Sequence, residues 1–136
     1  MKKIIFLCKH NIFRSRAALD YFKKTNKNKN IIAVSRGFIM GGGKPDPVQT
    51  RIAKKFGISL KGKSKPVNLQ ELVKANKIIV VANDIPKIMF NYSIINLQKK
   101  LRIWKIPDEQ KGNSKNIENI IKNIMKRVEE LVEELR

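Results

Sequence analysis

The sequence predicts an α/β fold, a single-domain open four-stranded parallel sheet with helices on both faces. Short apolar runs alternate along the chain with segments whose apolar residues recur at helical spacing, which is typical of strand-helix-strand units. The run at residues 78–81 is continuously apolar, as expected of a central strand covered on both faces. With 136 residues, 42% of them apolar, the chain can bury one sizeable core, and we expect one domain over residues 1–136.

The first half of the chain begins with an apolar run at residues 3–7, which predicts a buried strand. Residues 15–24 follow as a helix, because Ala17, Ala18, Tyr21 and Phe22 share helical spacing. A polar loop separates this helix from a second strand at residues 31–34. A segment rich in glycine and proline then leads to a helix at residues 48–56, which Gly57 ends.

The second half continues the alternation with a short helix at 69–75, a strand at 77–82, a helix at 85–92 and a strand at 101–105. The clearest helix is predicted at residues 116–135, where eight apolar side chains fall on one stripe. We expect this stripe to pack against the sheet. A coiled-coil interface is the alternative.

The loop after the first strand contains a cysteine, an arginine six positions later and a serine directly after it: Cys8, Arg14 and Ser15. Backbone N–H groups that converge at a helix N-terminus bind anions, and the planar fork of an arginine matches two phosphate oxygens. The pattern therefore predicts a phosphate-binding loop after the first strand. Its expected residues around phosphate or another oxyanion are Lys9, His10, Asn11, Ile12, Phe13, Arg14 and Ser15.

Cys8, the only cysteine of the chain, is the candidate nucleophile of this loop. A free thiol has a pKa of about 8.5, and a helix N-terminus or a nearby arginine favours the thiolate. A thiolate beneath a bound phosphoryl group is an activated nucleophile, which Ser15 can stabilise by a hydrogen bond. Asn11 can adopt a left-handed backbone at low cost and so help the loop to turn. The alternative is a buried structural cysteine beside a surface arginine.

Four polar side chains lie where the predicted strands end. Cys8 follows the first strand, Ser35 ends the second, Asp84 follows the third and Asp108 follows the fourth. Ligands of open parallel sheets bind beyond the carboxyl ends of the strands. We therefore expect these four side chains at the same edge of the sheet.

Residues 8–15 resemble the active-site loop of the low-molecular-weight protein tyrosine phosphatases, whose pattern is Cys-x5-Arg-Ser/Thr near the N-terminus. The matching residues are Cys8, Asn11, Ile12, Arg14 and Ser15. Residues 35–37 resemble the family's Ser-Ala-Gly after the second strand, residues 45–58 its next helix and Gly-Ile turn, and residues 80–84 its third strand with the following aspartate. The resemblance implies hydrolysis of phosphate monoesters, with protein phosphotyrosine as the expected substrate. It also implies a cysteinyl-phosphate intermediate, no metal and no cofactor.

The resemblance also suggests a general acid. Loss of an alkoxide or phenoxide from phosphorus needs a proton donor, and the family has an aspartate for this role in an Asp-Pro pair after the fourth strand. Asp108 matches that aspartate, while Glu109 replaces the proline and is the fallback acid. A solvated loop carboxylate is the alternative interpretation of Asp108. The resemblance further implies that Ser35 braces Asn11, although a plain hydroxyl at a strand end is an equally simple interpretation.

The chain departs from the family pattern at several positions. Phe13 stands where many members have a second cysteine, and His10 replaces a common glycine. The aromatic wall that grips a phosphotyrosine ring in many members is not obvious. Phe38 or Met40 could take its place.

Two other functions fit parts of the sequence. An arsenate reductase of the same superfamily would need an external thiol, because this chain has no further cysteine. A basic nucleic-acid-binding protein on this scaffold would use the formal charge of +19, since residues 1–107 carry 24 Lys and Arg against 4 Asp and Glu. A composition rich in Lys, Ile and Asn explains the same charge without a function.

Composition also bears on environment and partners. A single cysteine forms no intramolecular disulfide and fits a reducing cytoplasm, and no stretch is long enough to span a bilayer. The start Met1-Lys2-Lys3 with its short apolar run is not expected to be a signal peptide, because Cys8 and Lys9 interrupt the run. The single histidine excludes a structural zinc site. We expect a monomer that acts on a phosphorylated protein or a small phosphomonoester and binds nucleic acid only non-specifically.

Overall fold

The computed structural model of the protein describes residues 1–39, 43–90, 97–108 and 113–136. Its strands are β1 (Lys2–Cys8), β2 (Ile31–Gly37), β3 (Lys77–Val80) and β4 (Leu101–Ile103). Its helices are α1 (Arg14–Thr25), α2 (Pro47–Lys55), α3 (Leu69–Lys74) and α4 (Ser114–Glu134). Two 3-10 turns, Lys87–Phe90 and Gln98–Lys100, lie between β3 and β4.

The four strands form one sheet in the order β2-β1-β3-β4, and every pair is parallel. The predicted fold class is therefore confirmed. β1 is central, and Cys8 is its last residue, opposite Gly37 of β2. The loop that follows Cys8 thus begins in the middle of the edge where the strands have their carboxyl ends.

Helices cover both faces of the sheet because the side chains of β1 alternate between them. Ile4 and Phe6 pack into a core with residues of α1, α2 and α4. Ile5 and Leu7 pack into a second core on the opposite face with Leu72 of α3. All four β1 side chains are buried, so the loop after β1 starts from a rigid strand.

The apolar stripe of α4 packs against the sheet, as predicted, rather than forming a coiled-coil interface. Ile117, Ile121 and Ile124 are fully buried in the same core as Phe6. The helix is also joined to α1 by a hydrogen bond from Tyr21 Oη to Glu129 Oε2 at 2.5 Å, and this bond raises the pKa of Tyr21 to about 12. Within the described residues, no helix is long and apolar enough to cross a membrane.

Strands β3 and β4 each end two residues earlier than predicted, and two other elements differ more. The helix predicted at 85–92 is only the 3-10 turn Lys87–Phe90, and residues 91–96 lie outside the described part of the chain. The turn begins at Lys87, directly after Pro86, which is compatible with a helix start because proline needs no N–H partner there. Strand β2 extends to Gly37 rather than Val34, since its pairing with β1 continues to Cys8. Ser35 therefore lies inside β2 and does not end it.

Candidate active site

The N-terminus of α1 stands directly beyond the end of β1. Phe13 is the N-cap residue of α1, and its apolar side chain cannot accept a hydrogen bond from the N–H groups of the first turn. No side-chain hydrogen bond therefore caps this helix. The other three helices are capped by Asp46, Asn68 and Asn113. An uncapped first turn leaves backbone N–H groups and the positive end of the helix dipole for an external acceptor. This end of α1 is therefore suited to an anion.

The sulfur of Cys8 lies at this helix end and is in contact with a hydroxyl. Its Sγ is 3.0 Å from Ser15 Oγ, and Asn11 Nδ2 donates to the same Oγ at 2.8 Å. A serine hydroxyl has one proton and accepts through its lone pairs. Because Ser15 already accepts from Asn11, its proton remains available for a thiolate at Cys8. The arrangement can therefore stabilise negative charge on the sulfur.

Asn11 organises the loop around the cysteine. Its φ of 56° lies in the left-handed region, which agrees with the sequence-based expectation. The backbone N–H of Lys65 donates to Asn11 Oδ1 at 3.1 Å, and Ser64 Oγ donates to the Asn11 carbonyl oxygen at 2.8 Å. Neither Ser64 nor Lys65 belongs to a sequence motif, so sequence analysis missed both. Among the hydrogen bonds of the described residues, none joins Ser35 to Asn11.

Arg14 is fixed by three groups from the neighbouring strand ends. Its NH1 donates to the carbonyl oxygen of Ile106 at 2.9 Å, and its NH2 is 3.3 Å from each carboxylate oxygen of Asp84. Asp108 Oδ2 is 4.0 Å from the same NH2. The side chain of Arg14 is only 3% exposed. Its Nε–H forms no hydrogen bond with another described residue, which leaves that N–H for a bound oxyanion.

A cavity of about 340 Å³ lies against this loop. Cys8, Arg14 and Asp108, the three residues with a predicted catalytic role, all line it. Its described lining residues are Cys8, His10, Ile12, Phe13, Arg14, Lys44, Asp46, Gln49 and Asp108. Asp84 contacts the guanidinium of Arg14 and is not among the described residues of the cavity wall. Lys44, Asp46 and Gln49, from the start of α2 and the segment before it, also line the cavity. They belong to no phosphate-binding motif, and sequence analysis did not predict their place in the wall.

The remaining residues with a predicted role take different places. Lys9 accepts a backbone hydrogen bond from Ile39 N at 2.9 Å, which ties the loop to the residues after β2. The ring Nδ1 of His10 is buried without a hydrogen-bond partner. Phe38 packs on Phe90 with ring centroids 5.3 Å apart and is not part of the described cavity wall. Met40 and Glu109 lie outside the described residues.

Gly37 is in close contact with the backbone of the loop. A Cβ at this position would lie 2.9 Å from the carbonyl carbon of His10 and 3.1 Å from the Asn11 nitrogen. Backbone atoms cannot move aside as a flexible side chain can, so Gly37→Ala should displace the loop. We expect kcat/KM for an aryl phosphate to fall by at least about tenfold, with a stability loss of about 1–3 kcal/mol.

The matched control for Gly37→Ala is Gly43→Ala. A Cβ at Gly43 would meet no atom within 4 Å, so this variant should retain wild-type kinetics. Steady-state kinetics and thermal unfolding of both variants provide the measurement. Equal activity in the two variants would show that close approach at Gly37 does not position the loop.

Comparisons with known proteins agree with this geometry. A family model described as "Low molecular weight phosphotyrosine protein phosphatase" matches residues 3–136. The comparison with curated protein sequences finds no match. Among solved structures, the chain is similar to a low molecular weight phosphotyrosine phosphatase from Vibrio cholerae O395, with 17% identity, a TM-score of 0.87 and coverage of 99% of this chain and 97% of that one.

Two further structures show the same fold. The YwlE arginine phosphatase from Geobacillus stearothermophilus is 16% identical with a TM-score of 0.81, and the match covers 99% of this chain and 93% of that one. An arsenate reductase from Archaeoglobus fulgidus is 23% identical with a TM-score of 0.72, and the match covers 95% and 98%. At these levels of sequence identity, the similarity to solved structures establishes the fold alone. The family model matches nearly the whole chain, residues 3–136. The protein therefore belongs to the low molecular weight phosphotyrosine protein phosphatase family and is a cysteine-dependent phosphatase.

Proposed function

We propose that the protein hydrolyses phosphate monoesters through a phosphoryl group carried on Cys8, without a metal ion. The observation that carries this proposal is the Cys8 sulfur at the uncapped start of α1, with Arg14 in the same cavity. In the first step the sulfur attacks phosphorus, the S–P bond forms, and the bond from phosphorus to the ester oxygen breaks. Backbone N–H groups and the Nε–H of Arg14 stabilise the charge on the phosphoryl oxygens.

Asp108 acts in both halves of the proposed reaction. As a carboxylic acid it donates its proton to the departing ester oxygen, which leaves as an alcohol or phenol. As the resulting carboxylate it accepts a proton from water, whose oxygen attacks phosphorus while the P–S bond breaks. The products are inorganic phosphate and the Cys8 thiolate, which the Ser15 hydroxyl stabilises. The Asp108 side chain is 27% exposed, so water and substrate can both reach it.

Asp108→Asn should reduce kcat by about 10²–10⁴-fold, because an amide cannot supply the proton. The loss should be larger for phenyl phosphate than for p-nitrophenyl phosphate, since p-nitrophenolate leaves without protonation. Parallel assays of both esters provide the measurement. Glu109→Gln is the matched control and should remain close to wild type. The reverse pattern, with the loss confined to Glu109→Gln, would assign the acid to Glu109.

We further propose protein phosphotyrosine as the substrate. The family match supports this proposal, and Ile12 and Phe13 add apolar surface to the cavity wall. The fold is shared with an arginine phosphatase, so phosphoarginine is the informative competitor. Phosphate release in EDTA from matched phosphotyrosine, phosphoserine and phosphoarginine peptides should give the highest kcat/KM for phosphotyrosine. Faster release from phosphoarginine would overturn the substrate assignment while leaving the Cys8 mechanism in place.

The alternative functions have less support. This chain has one cysteine, so it cannot run a relay among its own cysteines to reduce arsenate. Arsenate reduction would therefore take its two electrons from an external thiol. The family match favours an enzyme over a nucleic-acid-binding scaffold.

A further inference from the structure

Three exposed lysines from two separate segments lie beside the phosphate-binding loop: Lys44, Lys63 and Lys65. We call them the basic rim. Lys44 lines the same cavity as Cys8 and Arg14. It therefore lies within reach of a molecule whose phosphoryl group is bound in the loop.

Ser64 joins the two segments of the basic rim to each other and to the loop. Its hydroxyl oxygen is 2.8 Å from the carbonyl oxygen of Asn11 and 3.3 Å from that of Gly43, the residue before Lys44. The backbone N–H of Lys65 donates to Asn11 Oδ1 at 3.1 Å. These contacts use a hydroxyl and backbone atoms, so they hold the rim against the loop without engaging the lysine side chains.

The positive charge of the basic rim is not neutralised by the described part of the chain. Within it, none of the three lysines forms an ion pair with a carboxylate. The two carboxylates of the described cavity wall have other partners. Asp46 accepts a hydrogen bond from the backbone N–H of Val48 at 2.7 Å, and Asp108 lies 4.0 Å from Arg14. The rim is thus a group of cations at the cavity that can pair with an external anion.

We infer that the basic rim is a docking surface for acidic side chains that flank the phosphorylated residue of a substrate protein. This inference rests on the proposed hydrolysis of protein phosphotyrosine. Neighbouring residues of an extended peptide are about 3.3–3.6 Å apart, so side chains a few positions from the phosphotyrosine reach the rim while the phosphoryl group occupies the loop. Carboxylates at those positions are attracted by the lysines, and basic side chains are repelled. The preferred substrate is therefore phosphotyrosine within an acidic segment.

The test uses fluorescent phosphotyrosine peptides that are identical except at the flanking positions, which hold aspartate, alanine or lysine. Cys8→Ser serves as the parent protein, because it is expected to bind these peptides without turnover, and fluorescence anisotropy gives the dissociation constants. At low salt the aspartate peptide should bind at least about tenfold more tightly than the lysine peptide. The ratio should fall as salt is added, since exposed charges are screened within about 10 Å at 0.1 M.

Charge reversal in the same parent protein then assigns this preference to the basic rim. Lys63→Glu/Lys65→Glu should reduce the ratio to less than about threefold. The matched control is Lys27→Glu/Lys29→Glu, which changes the total charge equally at two exposed residues of the same spacing. These lie in the loop before β2, at the opposite edge of the parallel sheet, and the ratio should stay within about twofold of the parent. Lys44→Glu reverses the charge at the cavity wall and carries the test if the rim double variant does not fold.

Equal ratios in the rim variants and the control variant would overturn the inference, because the preference would then come from the charge of the whole protein. Tighter binding of an oligothymidylate of equal charge, lost in the rim variants alone, would overturn it in favour of a nucleic-acid partner. Phosphate release from the same peptides by the wild-type protein is measured in parallel. No release from any peptide would refute the proposed function, whereas equal release from all three would refute only the role of the rim.

Discussion

Cys8→Ser is expected to lower kcat for p-nitrophenyl phosphate in EDTA by at least about 10⁴-fold. A serine hydroxyl at this position has almost no anionic form near neutral pH, whereas the thiolate is an effective nucleophile without a metal ion. The loss should appear in kcat, because the backbone N–H groups and Arg14 that would bind the phosphoryl group are unchanged. Steady-state kinetics provide the measurement.

Inorganic phosphate binding is the control for Cys8→Ser. Competition with a substrate in the wild type, and calorimetry in the variant, should give dissociation constants within about tenfold of each other. A variant that binds phosphate and still turns over within about tenfold of wild type would contradict the role of Cys8 as nucleophile. Loss of both binding and activity would instead indicate a displaced loop, which thermal unfolding would report.

Arg14→Lys should reduce kcat/KM by about 10³-fold even though the charge is conserved. Lysine has a point charge in place of a planar fork, so it cannot hold the phosphoryl oxygens and the Ile106 carbonyl at once. It would also leave Asp84 without the Arg14 nitrogen that both of its carboxylate oxygens contact. Kinetics with p-nitrophenyl phosphate and the inhibition constant of inorganic phosphate should both reveal the loss.

Arg36→Lys offers a matched control for Arg14→Lys. Arg36 forms a partly buried ion pair with Glu71 at 2.9 Å and does not contribute to the described cavity wall. Its replacement should change stability slightly and activity by less than about threefold. If both variants retained activity equally, the specific role of the Arg14 fork would be refuted.

The sequence predicts the sheet and its loop because their determinants are local. The apolar run of β1 is continuous, as expected of a strand that is buried on both faces. The apolar side chains of α4 recur at helical spacing over five turns. The spacing from Cys8 to Arg14 is fixed by the loop between one strand and one helix. These features need no knowledge of distant residues, so the pattern alone indicates where the site lies.

The supports of the loop depend on contacts that no local pattern specifies. Asn11 is held by Ser64 and Lys65, more than fifty positions away, through a hydroxyl and a backbone N–H that many residues could supply. The pairing of Arg14 with Asp84 joins residues seventy positions apart. The expectation that Ser35 braces Asn11 comes from the family resemblance. The register places Ser35 inside β2, opposite Phe6, and no hydrogen bond among the described residues joins it to Asn11.

Detection of a phosphoryl group on Cys8 during turnover tests the proposed cysteinyl-phosphate intermediate. Wild-type protein turning over p-nitrophenyl phosphate in EDTA would be quenched within milliseconds, and the peptide that contains Cys8 examined by mass spectrometry. The mechanism predicts one phosphoryl group on the Cys8 sulfur, absent from Cys8→Ser and from enzyme quenched without substrate. Rapid turnover with no phosphoryl group on Cys8, under conditions where synthetic phosphocysteine survives the quench, would contradict it.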